Sequence, residues 1–234
     1  MNLLRFKGKY LGTLLIVFIA GLLLLEGKIR QNSIPSGKSE EVFTLETGDL
    51  IARPNFNFLP GTCSVDSGRN FGHVAVVVQG SEGTTLEEAL KKAWVIESFI
   101  FDQASRRFVF NSGKQVRKVS AIIPFGHRFT GIRYRLRTTL SKEQKEKMVQ
   151  FLFLQIARHS YNLFSSKDES LLLDSLNNSY TSIEGKEWNC ATLGWFAFRY
   201  AAGIDIDSNG GEIVYPNDCI CSKFFDIPDG RIRF

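Results

Sequence analysis

Four side chains in this 234-residue chain have the chemistry to attack or activate a carbonyl: Cys190 and the histidines His73, His127 and His159. A thiol is a strong nucleophile only as thiolate, so a cysteine that works needs a base or a field that favours its anion. Cys190 opens the apolar stretch 188–203, which reads as a helix with Asn189 as N-cap and Gly203 as its stop. A thiol in that first turn faces the positive end of the helix dipole and unpaired backbone N–H groups, which predicts a lowered pKa. The plain alternative is a small apolar residue on a buried helix, a common fate of free cysteine.

Among the possible bases, His127 follows Pro124-Phe125-Gly126 in a turn, and His159 ends a helix, where a cation simply suits the dipole. His73 is different. It enters the strand-like run 72–79, where a buried imidazole needs a hydrogen-bond partner. Glu97, isolated within the apolar run 94–100, has the same need. If the two strands pair, Glu97 fixes the imidazole tautomer and the opposite ring nitrogen faces the thiol. A His–Glu pair serving only structure is the competing reading.

The elements that position these residues follow from period and punctuation. Gly48-Asp49-Leu50-Ile51 reads as a turn entering a strand, and 55–70 as a loop rich in Pro, Gly, Asp and Ser. Runs 72–79 and 94–100 are strands, 107–110 and 115–119 are shorter ones, and 85–92 forms one or two helical turns. Residues 131–137 alternate apolar and basic side chains, which predicts a half-buried strand with a charged face. A helix opens at Ser141, with Met148, Phe151, Leu152 and Ile156 as its apolar stripe. Residues 162–182 read as a long polar loop, able to cover the site, and 213–234 as an irregular tail with one or two strands. Strands first and helices later give an α+β chain with a mainly antiparallel sheet.

The formal charge of +5 is concentrated in residues 1–31, where Arg5, Lys7, Lys9, Lys28 and Arg30 face only Glu26. The remainder is close to neutral, which argues against nucleic acid as a partner. Within the leader, residues 11–25 are apolar; as a helix they span roughly 22 Å, less than the ~30 Å hydrocarbon core. Basic residues followed by a short apolar run predict a signal peptide or an N-terminal membrane anchor over 1–31, followed by a flexible tether over 32–47. The body is then exported to the cell envelope, where disulfides are permitted. With Cys190 free, at most one bridge forms among Cys63, Cys219 and Cys221.

The ordered set Gly48-Asp49-Leu50-Ile51, Gly72-His73-Val74-Ala75-Val76-Val77, Val95-Ile96-Glu97-Ser98 and Asn189-Cys190-Ala191-Thr192-Leu193 carries a resemblance, joined by Tyr215-Pro216-Asn217-Asp218 and Ser222. Together these pieces resemble the circularly permuted branch of the NlpC-type papain-like cysteine hydrolases, the YiiX/YebB-like group, and more distantly the lecithin:retinol acyltransferase-like proteins. The resemblance covers roughly 45–225. It implies a permuted papain-like domain over 48–234, with an antiparallel sheet or small barrel packed against helices, one of them bearing the nucleophile. It also implies Cys190 as nucleophile, His73 as general base, Glu97 as the residue orienting the histidine, and Gly48-Asp49 as a structural turn. No metal or cofactor is called for, and the substrate is a peptide amide of cell-wall type or an acylated, lipid-like molecule. Ala191-Thr192 after the cysteine departs from the Ser-Glu frequent in the family. An inactive binding module of the same fold, or a thioester-using acyltransferase, are the alternatives.

Overall fold

Ten strands, five short or medium α-helices and one 3-10 turn (Lys223–Phe225) are recognisable in the computed structural model, which describes residues 42–54, 65, 71–102, 107–108, 115–126, 131–156, 161–168 and 187–234. The leader 1–31, most of the tether, Cys63, His127, His159 and residues 169–186 lie outside the described residues.

The β-branched run becomes β3 (Phe71–Gln79), the centre of a six-stranded antiparallel sheet. Its order is β10 (Arg231–Arg233), β9 (Tyr134–Leu136), β2 (Leu50–Pro54), β3, β5 (Trp94–Ser98) and β8 (Val116–Ser120). β10 and β8 are its edges, so the sheet is open among the described residues and the small-barrel alternative is not what forms. Two further pairs, β1 (Phe43–Leu45) with β4 (Ser81–Gly83) and β6 (Phe101–Asp102) with β7 (Arg107–Phe108), complete the strands.

Alternation divides the apolar residues between two cores. Leu50, Val74, Val76 and Ile96 belong to the larger, beneath α3 (Lys142–Gln155), α4 (Cys190–Ala202) and α5 (Pro216–Ile220). Ile51, Ala75, Val77 and Val95 join the smaller, with Leu90 of α1 (Leu86–Lys92) and Phe125 of α2 (Ile122–Phe125). α4 is buried along nearly its whole circumference, with Trp195, Phe196 and Phe198 fully inside. Each such side chain contributes roughly 1.5–3 kcal/mol relative to exposure. Gly194 lets the helix sit close on the sheet: a Cβ there would lie 3.2 Å from Leu50 Cδ1.

Two expectations change. β1 falls within the stretch read as tether; Leu45 is buried and Phe43 packs edge-on against Phe234 at 4.8 Å, so the ordered body begins before Gly48. The basic face of β9 is not solvated. Arg133 and Arg135 are buried, their guanidinium groups donating to the carbonyls of Gly126, Gly131, Thr44 and Asp229. Long side chains of this kind can be buried when backbone oxygens accept their N–H groups.

Among the described residues no helix is long and apolar enough to cross a membrane, and residues 11–25 lie outside them.

Candidate active site

β3 and β5 pair only from Val76 opposite Ile96 to Gln79 opposite Trp94. Where the ladder ends, the N-terminus of α4 enters. Ser98 at the end of β5 donates from Oγ to Trp188 O at 2.7 Å, and Val74 of β3 gives its N–H to the Cys190 thiol. The first turn of α4 is therefore fastened to both strands.

Asn189 caps that turn as its sequence predicts: Oδ1 accepts from Thr192 N at 2.7 Å. Its Nδ2 donates to the carbonyls of Leu163 and Ser165, both at 3.4 Å, and Thr192 Oγ1 donates to Ser165 O at 2.9 Å. Residues 161–168 thus brace the cysteine turn from below. The described part of the long polar loop is a support for the helix rather than a cover. At the same end of β3, Asn217 of α5 accepts from Phe71 N at 2.7 Å, two residues before His73. That gives the Tyr215-Pro216-Asn217-Asp218 motif a structural task.

A shift in register between β2 and β3 sets His73 opposite Arg53 and Phe71 opposite Pro54, leaving Gly72 as the extra residue of a bulge. Bulges re-aim neighbouring side chains. The His73 ring lies stacked on Phe125 (5.8 Å between centroids) and tilted against Phe99 (4.7 Å), fully buried. Its Nε2 meets Glu97 Oε2 at 2.6 Å, so the pair expected from the sequence is formed.

The sequence did not single out Arg117. It stands opposite Glu97 on β8 and donates from Nε to Oε1 at 2.9 Å, with Nη2 2.8 Å from the same oxygen. Only the cross-strand register, absent from a one-dimensional reading, could have nominated it. Arg53 is fully buried nearby, with its guanidinium carbon 5.8 Å from the Phe99 centroid; that of Arg117 is 6.0 Å from the same ring.

Electrostatics assign the protons. Burial opposes charge on Glu97, yet the hydrogen bond from His73, the attraction the ring exerts when protonated, and the Arg117 guanidinium outweigh it, holding the carboxyl below its ordinary range. For His73 burial wins over the attraction of Glu97, aided by Arg53 and Arg117, and the imidazole pKa falls. A carboxylate facing a neutral imidazole can only accept, so the proton sits on Nε2 and Nδ1 carries the lone pair. Among the described residues Nδ1 has no hydrogen-bond partner.

Cys190 is a free thiol, 6% exposed. Here the structure corrects the lowered pKa expected at a helix N-terminus. Burial pushes the thiol up to about 11, even though the N–H groups of Val74 and Ala191 and the charge of Arg53 pull the other way. Desolvation outweighs the dipole. The thiol and the imidazole make no hydrogen bond to one another in this state: His73 and Glu97 are joined, and Cys190 feels the charge of Glu97 without bonding to the pair. Burial first, and Cys190 second, raise the phenol of neighbouring Tyr161 above its usual range. Cys219 is a second buried free thiol, and Cys221 is disulfide-bonded.

Among the described residues no group of three or more His, Cys, Asp and Glu side chains is placed to hold a metal ion.

No family model matches the chain. Over 49 residues it is 51% identical to YycO, an uncharacterized protein of Bacillus subtilis strain 168; the match takes in 21% of this chain and 20% of that protein. The chain thus spans about a fifth of that relative's length. Among solved structures, the metalloprotein YiiX of Escherichia coli O157:H7 aligns over 81% of this chain and 96% of its own, with a TM-score of 0.48 and 13% identity.

Proposed function

We propose that this protein is a cysteine-dependent hydrolase of the cell envelope, in which Cys190 attacks a carbonyl, His73 is the base and Glu97 orients it. The observation that supports the reading best is the buried His73–Glu97 bond of 2.6 Å, which leaves the Nδ1 lone pair without a hydrogen-bond partner among the described residues, while Cys190 is a free thiol near enough to Glu97 to feel its charge. Most buried side-chain nitrogens held only for structure find a partner, and a base awaiting a proton accounts for one that does not.

Substrate binding brings Nδ1 and Sγ into hydrogen-bond reach, since such contacts tighten in the reacting complex. The thiol proton passes to Nδ1 as sulfur attacks the carbonyl carbon. The oxyanion is met by backbone N–H groups of the first turn of α4. The imidazolium then protonates the departing amine or alcohol, leaving a thioester that water hydrolyses with His73 again as base. Glu97 stays ionised throughout and stabilises the imidazolium. The substrate class is a peptide amide of cell-wall type or an acylated, lipid-like amide or ester. The sequence of residues 11–25 supports membrane anchoring or secretion, and a disulfide at Cys221 fits an oxidising compartment.

The high pKa of Cys190 is the observation that favours the second reading, an inactive binding module of the same architecture. Turnover separates the two. Released amine or fatty acid is measured from muramyl peptides and from acylated lipids, with Cys190→Ala and His73→Gln alongside. Turnover abolished by Cys190→Ala and lowered about 10²–10⁴-fold by His73→Gln is the expected result. Turnover that survives Cys190→Ala rejects the hydrolase.

A further inference from the structure

We propose that Arg117 is a positioning residue for His73, acting through Glu97: it holds the carboxylate ionised and aimed, and so fixes the imidazole with its lone pair on Nδ1. The kinetic consequence rests on the hydrolase reading; the hold on the imidazole rests on geometry alone.

The geometry is a three-member line across β8, β5 and β3. Two Arg117 nitrogens meet one Glu97 oxygen at 2.9 and 2.8 Å, and the other oxygen meets His73 Nε2 at 2.6 Å. His73 and Glu97 side chains are fully buried, and that of Arg117 is 16% exposed. A lone carboxylate in that setting would be costly; it would take up a proton or draw one onto the imidazole. The guanidinium supplies the compensating charge and, being planar and always protonated, also fixes the carboxylate plane. With a neutral imidazole, the line carries no net charge.

Among the described residues, the charged or titratable groups facing the pair are Arg53 from β2, Arg117 from β8 and Cys190 from α4; α2 contributes only the Phe125 ring. Without Arg117, Glu97 is left as the nearer unbalanced charge. The imidazole then takes up a proton at higher pH and ceases to be a free base there.

The test uses the full chain with ¹⁵N-labelled histidine. Long-range ¹H–¹⁵N spectra are recorded from pH 5 to 9, the His73 signals being identified by their loss in His73→Gln. Wild type is expected to show Nε2 protonated and Nδ1 bare at neutral pH and above, with its protonation midpoint below the ordinary imidazole range. In Arg117→Met the midpoint of His73 protonation rises by at least one pH unit, and Arg117→Lys, which returns the charge, restores at least half of that shift. If Arg117→Met does not fold, Arg117→Gln carries the same comparison. An unchanged tautomer and midpoint in a folded, charge-free variant overturns the proposal, as does Arg117→Lys shifting as far as Met. The same chains are incubated with p-nitrophenyl acyl esters and the mass of Cys190 read: the expected spectra without any acyl adduct on Cys190 would leave the Arg117 hold standing and reject the hydrolase, and the adduct with unmoved spectra does the reverse.

Discussion

At Cys190 two physical effects compete, and their balance sets how the residue behaves at rest. The helix N-terminus favours the thiolate, but the side chain is 6% exposed and its pKa stands at about 11. The neutral thiol therefore dominates throughout the physiological range. Iodoacetamide labelling of Cys190, read by peptide mass spectrometry, is predicted to be slow at pH 7 and to rise about tenfold per pH unit towards pH 10. A plateau reached below pH 7 would instead mean a resting thiolate–imidazolium pair. The types of the three site residues were legible in the sequence because each posed a local problem: a thiol at a helix start, a histidine and a glutamate in apolar strands. Burial was not legible, since desolvation depends on what α3 and residues 161–168 bring against the turn. The same holds for Arg117, whose role depends on which strand lies beside β5.

At the level of elements, α4 is the part on which the site depends. Its bounds followed from Asn189 and Gly203, which has φ 69° at the helix end, where a left-handed residue terminates the ladder. Asn189→Ala is predicted to cost about 1–2 kcal/mol in urea unfolding, since it removes the cap at Thr192 N and the contacts to residues 163 and 165. A loss under 0.3 kcal/mol would mean the brace carries no load. Gly194→Val places methyl groups against Leu50 and Val76 and is predicted to cost about 1–3 kcal/mol by overpacking; an unchanged midpoint would place the helix further from the sheet. The elements that escaped sequence reading are short. α5 has five residues and is set by Pro216 at its start, and β1 has three, stabilised by pairing and by Phe234 from the far end of the chain. Neither is long enough to display a period.

For the whole molecule, the Gly48-Asp49 turn is a clasp between distant parts of the chain. Asp49 is buried and takes Arg137 at 2.7 Å on each oxygen, across 88 residues of sequence, while Gly48 holds φ 94°. The turn was legible from its residue types; its partner was not, because Arg137 follows β9, and the run 131–137 read only as a half-buried strand with a charged face. Asp49→Ala is predicted to cost about 1.5–3 kcal/mol without changing the His73 spectrum, because the clasp joins β2 to β9 on the far side of β3. An unfolding midpoint equal to wild type would contradict this. The α+β class and antiparallel sheet followed from the order of strands and helices, whereas the strand order with β3 central required the folded chain.

The central claim is that Cys190 is a nucleophile served by His73, and an acyl adduct tests it most directly. The full chain is incubated with p-nitrophenyl esters of short and long acyl chains at pH 7, and the adduct is located by intact-mass and peptide analysis. The account predicts a single acyl group on Cys190, absent from Cys190→Ala and formed at least 100-fold more slowly in His73→Gln. Acylation of Cys190 at the same rate in His73→Gln, or none at that residue, would contradict it.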